Sequence, residues 1–262
     1  MEWLFEIHDK PWFPNFLRRE VLDALQMILE RTDAYGPIAP RLRRAIDRAG
    51  TREVVDLFSG GGGPWQSFLE RYEAQGAPPV EVFLTDKFPS ATRQAYGAAQ
   101  SHLHFVTQST DATITAALPL GFRTIFSSFH HFNREQARCF LADGAAKGQG
   151  IGIFEVASRH AFTLLSICAL PLLAWVFTPL QRPLRLSPLI WTYFIPVVPL
   201  VLFADGIISC FRAYSLSDLN AFTTGLPIGQ QNYEWQIGEE RGRRLPLRIT
   251  YLIGCPKNSV TD

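Results

Sequence analysis

The sequence predicts an α/β fold on a mostly parallel sheet that ends in an antiparallel C-terminal hairpin. Two observations carry this prediction. Between residues 53 and 156, strand-like runs of five or six residues alternate with helical segments, the pattern that crossover connections between parallel strands produce. Further on, the strand-like runs 233–237 and 247–253 flank the polar stretch GEERGRRLP and read as an antiparallel hairpin at a sheet edge.

Taken in order, residues 14–32 place Phe16, Leu17, Val21, Leu22, Leu25, Ile28 and Leu29 at helical spacing. Pro37 and Pro40 then interrupt, and 42–49 reads as a second short helix. The runs 53–58, 80–85, 102–107, 123–128 and 150–156 are predicted as five strands. Pro64 falls where the helix after the first strand should begin, because the missing N–H costs nothing in a first turn. Ser90 is predicted to cap the helix after the second strand, and 133–145 is predicted helical. The two C-terminal runs bring the expected strand count to seven.

Composition narrows the class. The 262 residues are enough for one large α/β domain, or for a domain with an insertion. With 47% hydrophobic residues, 13% aromatic residues and a formal net charge of +1, the chain is neither disordered nor basic enough to favour nucleic acid. Cys139, Cys168, Cys210 and Cys255 lie far apart with no CxxC and no Cys/His ligand spacing; they read as reduced thiols in a cytosolic setting. The opening MEWLFEIHDK has acids and no unbroken apolar core, so it is not read as a signal peptide.

The stretch VVDLFSGGGGPW, residues 54–65, joins the first strand to its helix. A glycine-rich turn there lets backbone approach a ligand with no Cβ between them. Gly60 and Gly62 match the first two glycines of the dinucleotide fingerprint, but Trp65 stands at the third. A nicotinamide-dependent reductase is therefore kept only as an alternative. The same stretch resembles motif I of the class I S-adenosylmethionine-dependent methyltransferases: an apolar strand, an acid, then a G-x-G turn. The resemblance covers residues 54–156 and implies a Rossmann-like seven-stranded sheet. By it, Asp56 is the motif acid, and Gly60 and Gly62, with Ser59 beside them, pass under the amino-acid part of S-adenosylmethionine. Phe58 departs from the pattern, since many members carry glycine there.

In EVFLTDKFP, Asp86 matches the family's acid for the two ribose hydroxyls. A carboxylate suits a vicinal diol because it offers acceptors only. Its neighbour Lys87 joins the cofactor-binding candidates. In STDAT, Asp111 matches the acid that contacts adenine. The implied domain plan is an N-terminal helical cap over 1–50 and a methyltransferase domain over 51–262.

The fourth strand runs into FSSFHHFNREQA, where the family faces both sulfonium and acceptor. Phe129 is the cofactor-side candidate, and His130 and His131 are candidate general bases, because imidazole titrates near neutrality. The alternative is that these residues only shape the pocket and cap the helix after Asn133. Glu155, ending the fifth strand, is a second candidate for orienting the acceptor. Adjacent histidines with no partner at ligand spacing do not suggest a metal, and none is expected.

Residues 160–205 form an apolar insertion in which Arg182 and Arg185 are the only charges between 161 and 204. Each half is about long enough to cross a hydrocarbon core, with Trp175, Trp191 and Tyr193 available at an interface. A re-entrant or peripheral membrane hairpin, a lid folded on the domain and a dimerisation element are the three readings. The two arginines at the turn disfavour a full span. Beyond the insertion, Asp205, Arg212 and Tyr214 read either as the polar end of an acceptor pocket or as an anchor of the hairpin to the sheet by a salt bridge. The expectation is methyl transfer to a hydrophobic or lipid-like acceptor at the cytoplasmic side of a membrane. A non-catalytic scaffold anchored by the same hairpin is the other alternative.

Overall fold

Seven strands form one sheet in the order β3-β2-β1-β4-β5-β7-β6: β1 Glu53–Leu57, β2 Glu81–Leu84, β3 Leu103–Phe105, β4 Phe122–Phe126, β5 Ile151–Glu155, β6 Tyr233–Arg241 and β7 Arg248–Pro256. The computed structural model describes residues 5–60, 62–89, 101–181, 185–226, 233–244 and 247–257. The helix cap predicted at Ser90 and the first part of the RPLR turn, including Arg182, lie outside these residues. β1 through β5 are parallel, and β7 runs antiparallel to both β5 and β6. The connection order reverses at β1, which pairs with β2 on one side and β4 on the other. In open α/β sheets, the crevice at the C-terminal ends of strands flanking such a reversal is where ligands bind.

The C-terminal hairpin is longer than predicted. Paired register continues from Tyr233↔Pro256 to Arg241↔Arg248, so GEER belongs to the strand rather than the turn. β6 is the sheet edge, where Glu239 and Arg241 keep their side chains in solvent while the backbone pairs. Arg248 adds a 2.7 Å ion pair to Glu239.

The helices bracket this sheet. Among the described residues α1 is Asn15–Arg31, α2 Ala39–Arg48, α3 Trp65–Ala74, α4 Arg134–Ala146, α5 Ala161–Cys168, α6 Leu170–Phe177, α7 Leu186–Leu189, α8 Val197–Arg212 and α9 Leu216–Thr224. α4 starts at a reciprocal capping box: the Asn133 side chain accepts from Gln136 N, and the Gln136 side chain accepts from Asn133 N. Trp65 does not loosen the contact of α3 with the sheet. It is fully buried, edge-to-face with Phe68 and with Phe126 of β4. An indole here fills the gap between helix and strand that the dinucleotide fold closes with glycine.

The apolar insertion packs back on the N-terminal cap. Leu17, Val21 and Ile28 of α1 share a core with Leu170, Ala174, Val198 and Leu202. No single helix among the described residues is long and apolar enough to cross a membrane. Ala161–Cys168 and Leu170–Leu180 meet at 41°, and Leu186–Phe194 and Val197–Arg212 at 71°. Pro171 and Pro196 sit at the two breaks, where proline removes a helical donor and crowds the preceding turn.

Candidate active site

The turn after β1 is held from three directions. Phe58 has φ +56° and Gly60 φ +43°, so the chain turns through the left-handed region within three residues of the strand end. Glycine takes that conformation freely, whereas a β-carbon strains it. Phe58 accepts the strain with its ring stacked on His131 and edge-on to Phe132. Ser127, one residue beyond the adjacent β4, is also left-handed at φ +46°. It is fixed by hydrogen bonds with the Tyr35 hydroxyl and from Val156 N. Two strained non-glycine residues thus face each other across the sheet's reversal point, and strain of this kind clusters at functional sites.

Asp86, just past β2, accepts from Gly60 N at 2.8 Å with one oxygen and from Phe88 N at 2.8 Å with the other. It pins the glycine turn and still has acceptor lone pairs to offer. Asp56 is buried in β1. Its oxygens accept from Thr124 Oγ1 at 2.5 Å and Ser59 Oγ at 2.7 Å. Burial nevertheless pushes its carboxyl up to about 6, against the pull of those hydroxyls. Gly62, also left-handed at φ +104°, lies over Leu84 and Phe105.

Three cofactor-side candidates sit elsewhere. Lys87 and Asp111 pair with each other at 2.8 Å near the protein surface. The Lys87 and Thr113 hydrogen bonds hold the Asp111 carboxyl down at about 2. Neither residue lines the cavity described below. The Phe129 ring faces the core, edge-on to Phe132, Phe140 and Tyr214, and only its N–H reaches the site by donating to Glu155 at 2.6 Å.

A cavity of about 200 Å³ opens beside the turn, and Asp56, Phe58, Ser59 and Gly60 line it together with His130 and His131. Its remaining walls are mostly apolar, from α1 (Val21, Leu25) and the insertion (Ile167, Leu170, Leu202). The opposite wall includes Glu6 and His8. His130 is buried between two carboxylates, Nδ1 2.9 Å from Glu155 and Nε2 3.0 Å from Glu6. Burial alone would lower its pKa, but these partners outweigh it and bring the ring to about 10. Burial likewise opposes the Glu6 charge, yet His131 and His130 hold that carboxyl well below its ordinary value. His131 Nδ1 lies 2.9 Å from Asp9, and its Nε2 lies 3.7 Å from Glu6. Asp205 accepts from Ile7 N at 2.6 Å and pairs with His8 Nδ1 at 2.8 Å, while Ser209 donates to Glu6 at 2.9 Å.

The structure therefore unites the three residues predicted for chemistry, His130, His131 and Glu155, and adds Glu6, His8, Asp9, Asp205 and Ser209. Both ring nitrogens of His130 are engaged, so in this arrangement it is an anchor rather than a base. Arg212 and Tyr214 tie the insertion to the sheet by donating to the carbonyls of His131 and Phe132. The anchor half of the earlier expectation is what they provide, through hydrogen bonds instead of an ion pair. Glu6 supplies the histidine partner absent from the local spacing, from 124 residues away.

No family model and no curated protein matches the sequence. Solved structures do resemble the fold. An O-methyltransferase, NcsB1 of neocarzinostatin biosynthesis, in complex with S-adenosyl-L-homocysteine and 1,4-dihydroxy-2-naphthoic acid, superposes at a TM-score of 0.50. The two share 15% identity over 91% of this chain and 58% of that one, so the chain spans little more than half of that enzyme's length. An O-methyltransferase family protein from Burkholderia thailandensis gives 0.48 at 13% identity, over 94% and 61%. The plantazolicin methyltransferase BpumL gives 0.46 at 12%, over 92% and 96%. The fold is that of the class I S-adenosylmethionine-dependent methyltransferases.

Proposed function

We propose that the protein transfers a methyl group from S-adenosylmethionine to a hydrophobic small molecule held in the cavity. The observation that carries this reading is the left-handed turn at Phe58–Gly60, pinned by Asp86 at the mouth of a mostly apolar cavity. The residues fit the cofactor on their own chemistry. Asp86 keeps acceptor capacity for a diol after binding Gly60 N and Phe88 N, and Gly60 leaves the backbone bare where a ligand approaches. Bound there, the sulfonium supplies an activated methyl electrophile.

Most of the remaining work is positional. Holding an acceptor atom in line with an activated donor removes much of the barrier without acid–base help. Val21, Leu25, Ile167, Leu170 and Leu202 make the acceptor's surroundings apolar, and the acceptor's polar group meets His131 and Glu6 on the opposite wall. Supporting context comes from the naphthoic acids bound to NcsB1. Isothermal titration with S-adenosylhomocysteine tests the reading: wild type should bind, and Asp86→Ala should weaken binding at least tenfold. Absence of wild-type binding refutes it, and titration with NADH and NADPH addresses the reductase alternative.

Membrane contact belongs to the same proposal. The insertion turns one face to α1 and leaves the other bare, with Phe194 83% and Leu186 77% exposed and Leu165, Leu172 and Leu200 at 62% each. Dipping this face into the cytoplasmic leaflet would remove it from water at roughly 25 cal/mol per Å² and bring the cavity to an apolar acceptor. Replacing the whole insertion would strip the core of α1, so the test uses Leu186→Ser/Phe194→Ser. The double variant should lose flotation with anionic liposomes, and wild type that never floats excludes the membrane reading.

A further inference from the structure

The polar wall of the cavity has the construction of a metal site. We propose that Glu6, His130 and His131 bind a divalent transition-metal ion, Zn²⁺ by the chemistry of the ligand set, on the wall of the cavity. The proposal goes beyond methyl transfer and does not rest on it.

Glu6 faces both imidazoles, 3.0 Å from His130 Nε2 and 3.7 Å from His131 Nε2. One ligand atom from each of the three residues lies within 4.8 Å of the others. A tetrahedral ion with bonds near 2.0 Å holds its ligand atoms about 3.3 Å apart. His130 lies 3.0 Å from Glu6 Oε1 and His131 3.7 Å from Glu6 Oε2, so a small turn of the carboxylate brings one oxygen within bonding geometry of both rings. Two imidazoles and a carboxylate with a fourth position left open is a known zinc ligand set, and here the open position faces the cavity that all three residues line.

The supporting shell is the second, independent observation. Histidines that ligate a metal almost always hand their other ring N–H to a carboxylate or carbonyl. Both do so here: His130 Nδ1 to Glu155 at 2.9 Å and His131 Nδ1 to Asp9 at 2.9 Å. Each ring is thereby fixed with Nε2 directed at Glu6. Ser209 Oγ, donating to Glu6 at 2.9 Å, orients the carboxylate in turn.

Charge points the same way. Glu6, Asp9, Glu155 and Asp205 gather four carboxylates, and among the described residues their ion pairs run only to His8, His130 and His131. The nearby Arg18 gives its donors to the carbonyls of His8, Lys10 and Phe13 and to the Asn15 side chain. Of the four carboxylates, Glu6, Glu155 and Asp205 are buried, and buried carboxylates need compensating positive charge. In the metal-free protein the proton on His130 supplies it, and a divalent ion among neutral imidazoles would supply more. On binding, the ion replaces the proton between His130 Nε2 and Glu6, and that proton leaves to water.

The test is a Zn²⁺ titration of the full chain after chelator treatment, with metal content measured after desalting and Co²⁺ absorption as a second readout. A surface group must be controlled: Glu81 pairs with His102 at 2.8 Å and His104 at 2.7 Å and is exposed enough to scavenge zinc. The working protein therefore carries Glu81→Gln. One tightly held Zn²⁺ per chain is expected in it. Glu6→Gln and His131→Gln should each lower affinity at least tenfold with unchanged circular dichroism, and Asp9→Asn, acting through His131, by roughly ten- to a hundredfold. Binding that disappears with Glu81→Gln, or that survives both Glu6→Gln and His131→Gln, overturns the proposal. Because the readout is metal content, failure here leaves the S-adenosylhomocysteine result untouched.

Discussion

Replacing Asp56 by Asn should stabilise the protein, and by an amount that depends on pH. The carboxyl is raised from 3.8 to about 6, chiefly by burial. For an acid shifted upward the sign is unfavourable. Below pH 3.8 both folded and unfolded states are protonated and nothing is lost. Between 3.8 and 6 the unfolded chain releases its proton first and stability falls. Above 6 the loss is constant. At 1.36 kcal/mol per pH unit, the penalty at pH 7 is about 3 kcal/mol. The amide keeps both hydroxyl partners. Its oxygen still accepts from Thr124 Oγ1, and its NH₂ donates to Ser59 Oγ, whose own proton goes to the Asp56 carbonyl at 2.8 Å. Urea unfolding at half-unit steps from pH 4 to pH 7.5 measures the effect. The variant's advantage should grow through pH 5 and level off above pH 6.5, while S-adenosylhomocysteine affinity falls, a trade of activity for stability. A difference between the two proteins that is flat with pH would show that Asp56 titrates normally and refute the reasoning.

Other substitutions probe neighbouring elements. Phe58→Gly should be more stable than Phe58→Ala by about 1 kcal/mol in chemical denaturation, because only glycine relaxes φ +56°. Equal stability would mean that the left-handed conformation costs nothing. Gly60→Ala meets no atom closer than 3.8 Å, so its cost should be confined to backbone strain of about 1–2 kcal/mol, with weaker S-adenosylhomocysteine binding by calorimetry. Asn133→Ala removes a reciprocal cap and should cost about 1 kcal/mol in thermal unfolding with cofactor binding unchanged.

What the sequence disclosed and what it withheld divide along contact range. The strand–glycine–Pro64–helix run and Asp86 at the next strand tip are local patterns, and both appear where they were expected. Phe58 was visible as a departure from glycine, and its positive φ explains why glycine is the common choice. Glu6 was invisible as a site residue, because its partners lie 124 and 203 positions away and no local spacing links them. The hairpin was underestimated because charged residues on an edge strand look like a turn. Apolarity over 161–204 announced that the insertion must be covered, yet it could not say that α1 would cover one face only. Lys87 and Asp111 also fit a local pattern, and the structure adds that they pair with each other at 2.8 Å.

The polar wall of the cavity also constrains how the chain assembles. Its members come from residues 6–9, 130–131, 155 and 205–209. Closing loops this long costs entropy before any contact repays it. During synthesis the segment around Glu6 emerges first but finds His130 only after half the chain has followed, and Asp205 later still. The sheet from β1 to β5 can form beforehand from nearer neighbours, so the wall should be among the last parts to lock. In native-state hydrogen exchange, the Ile7 amide bonded to Asp205 should accordingly open at far lower free energy than the amides of β1 and β4, so this wall unlatches well before the core of the sheet.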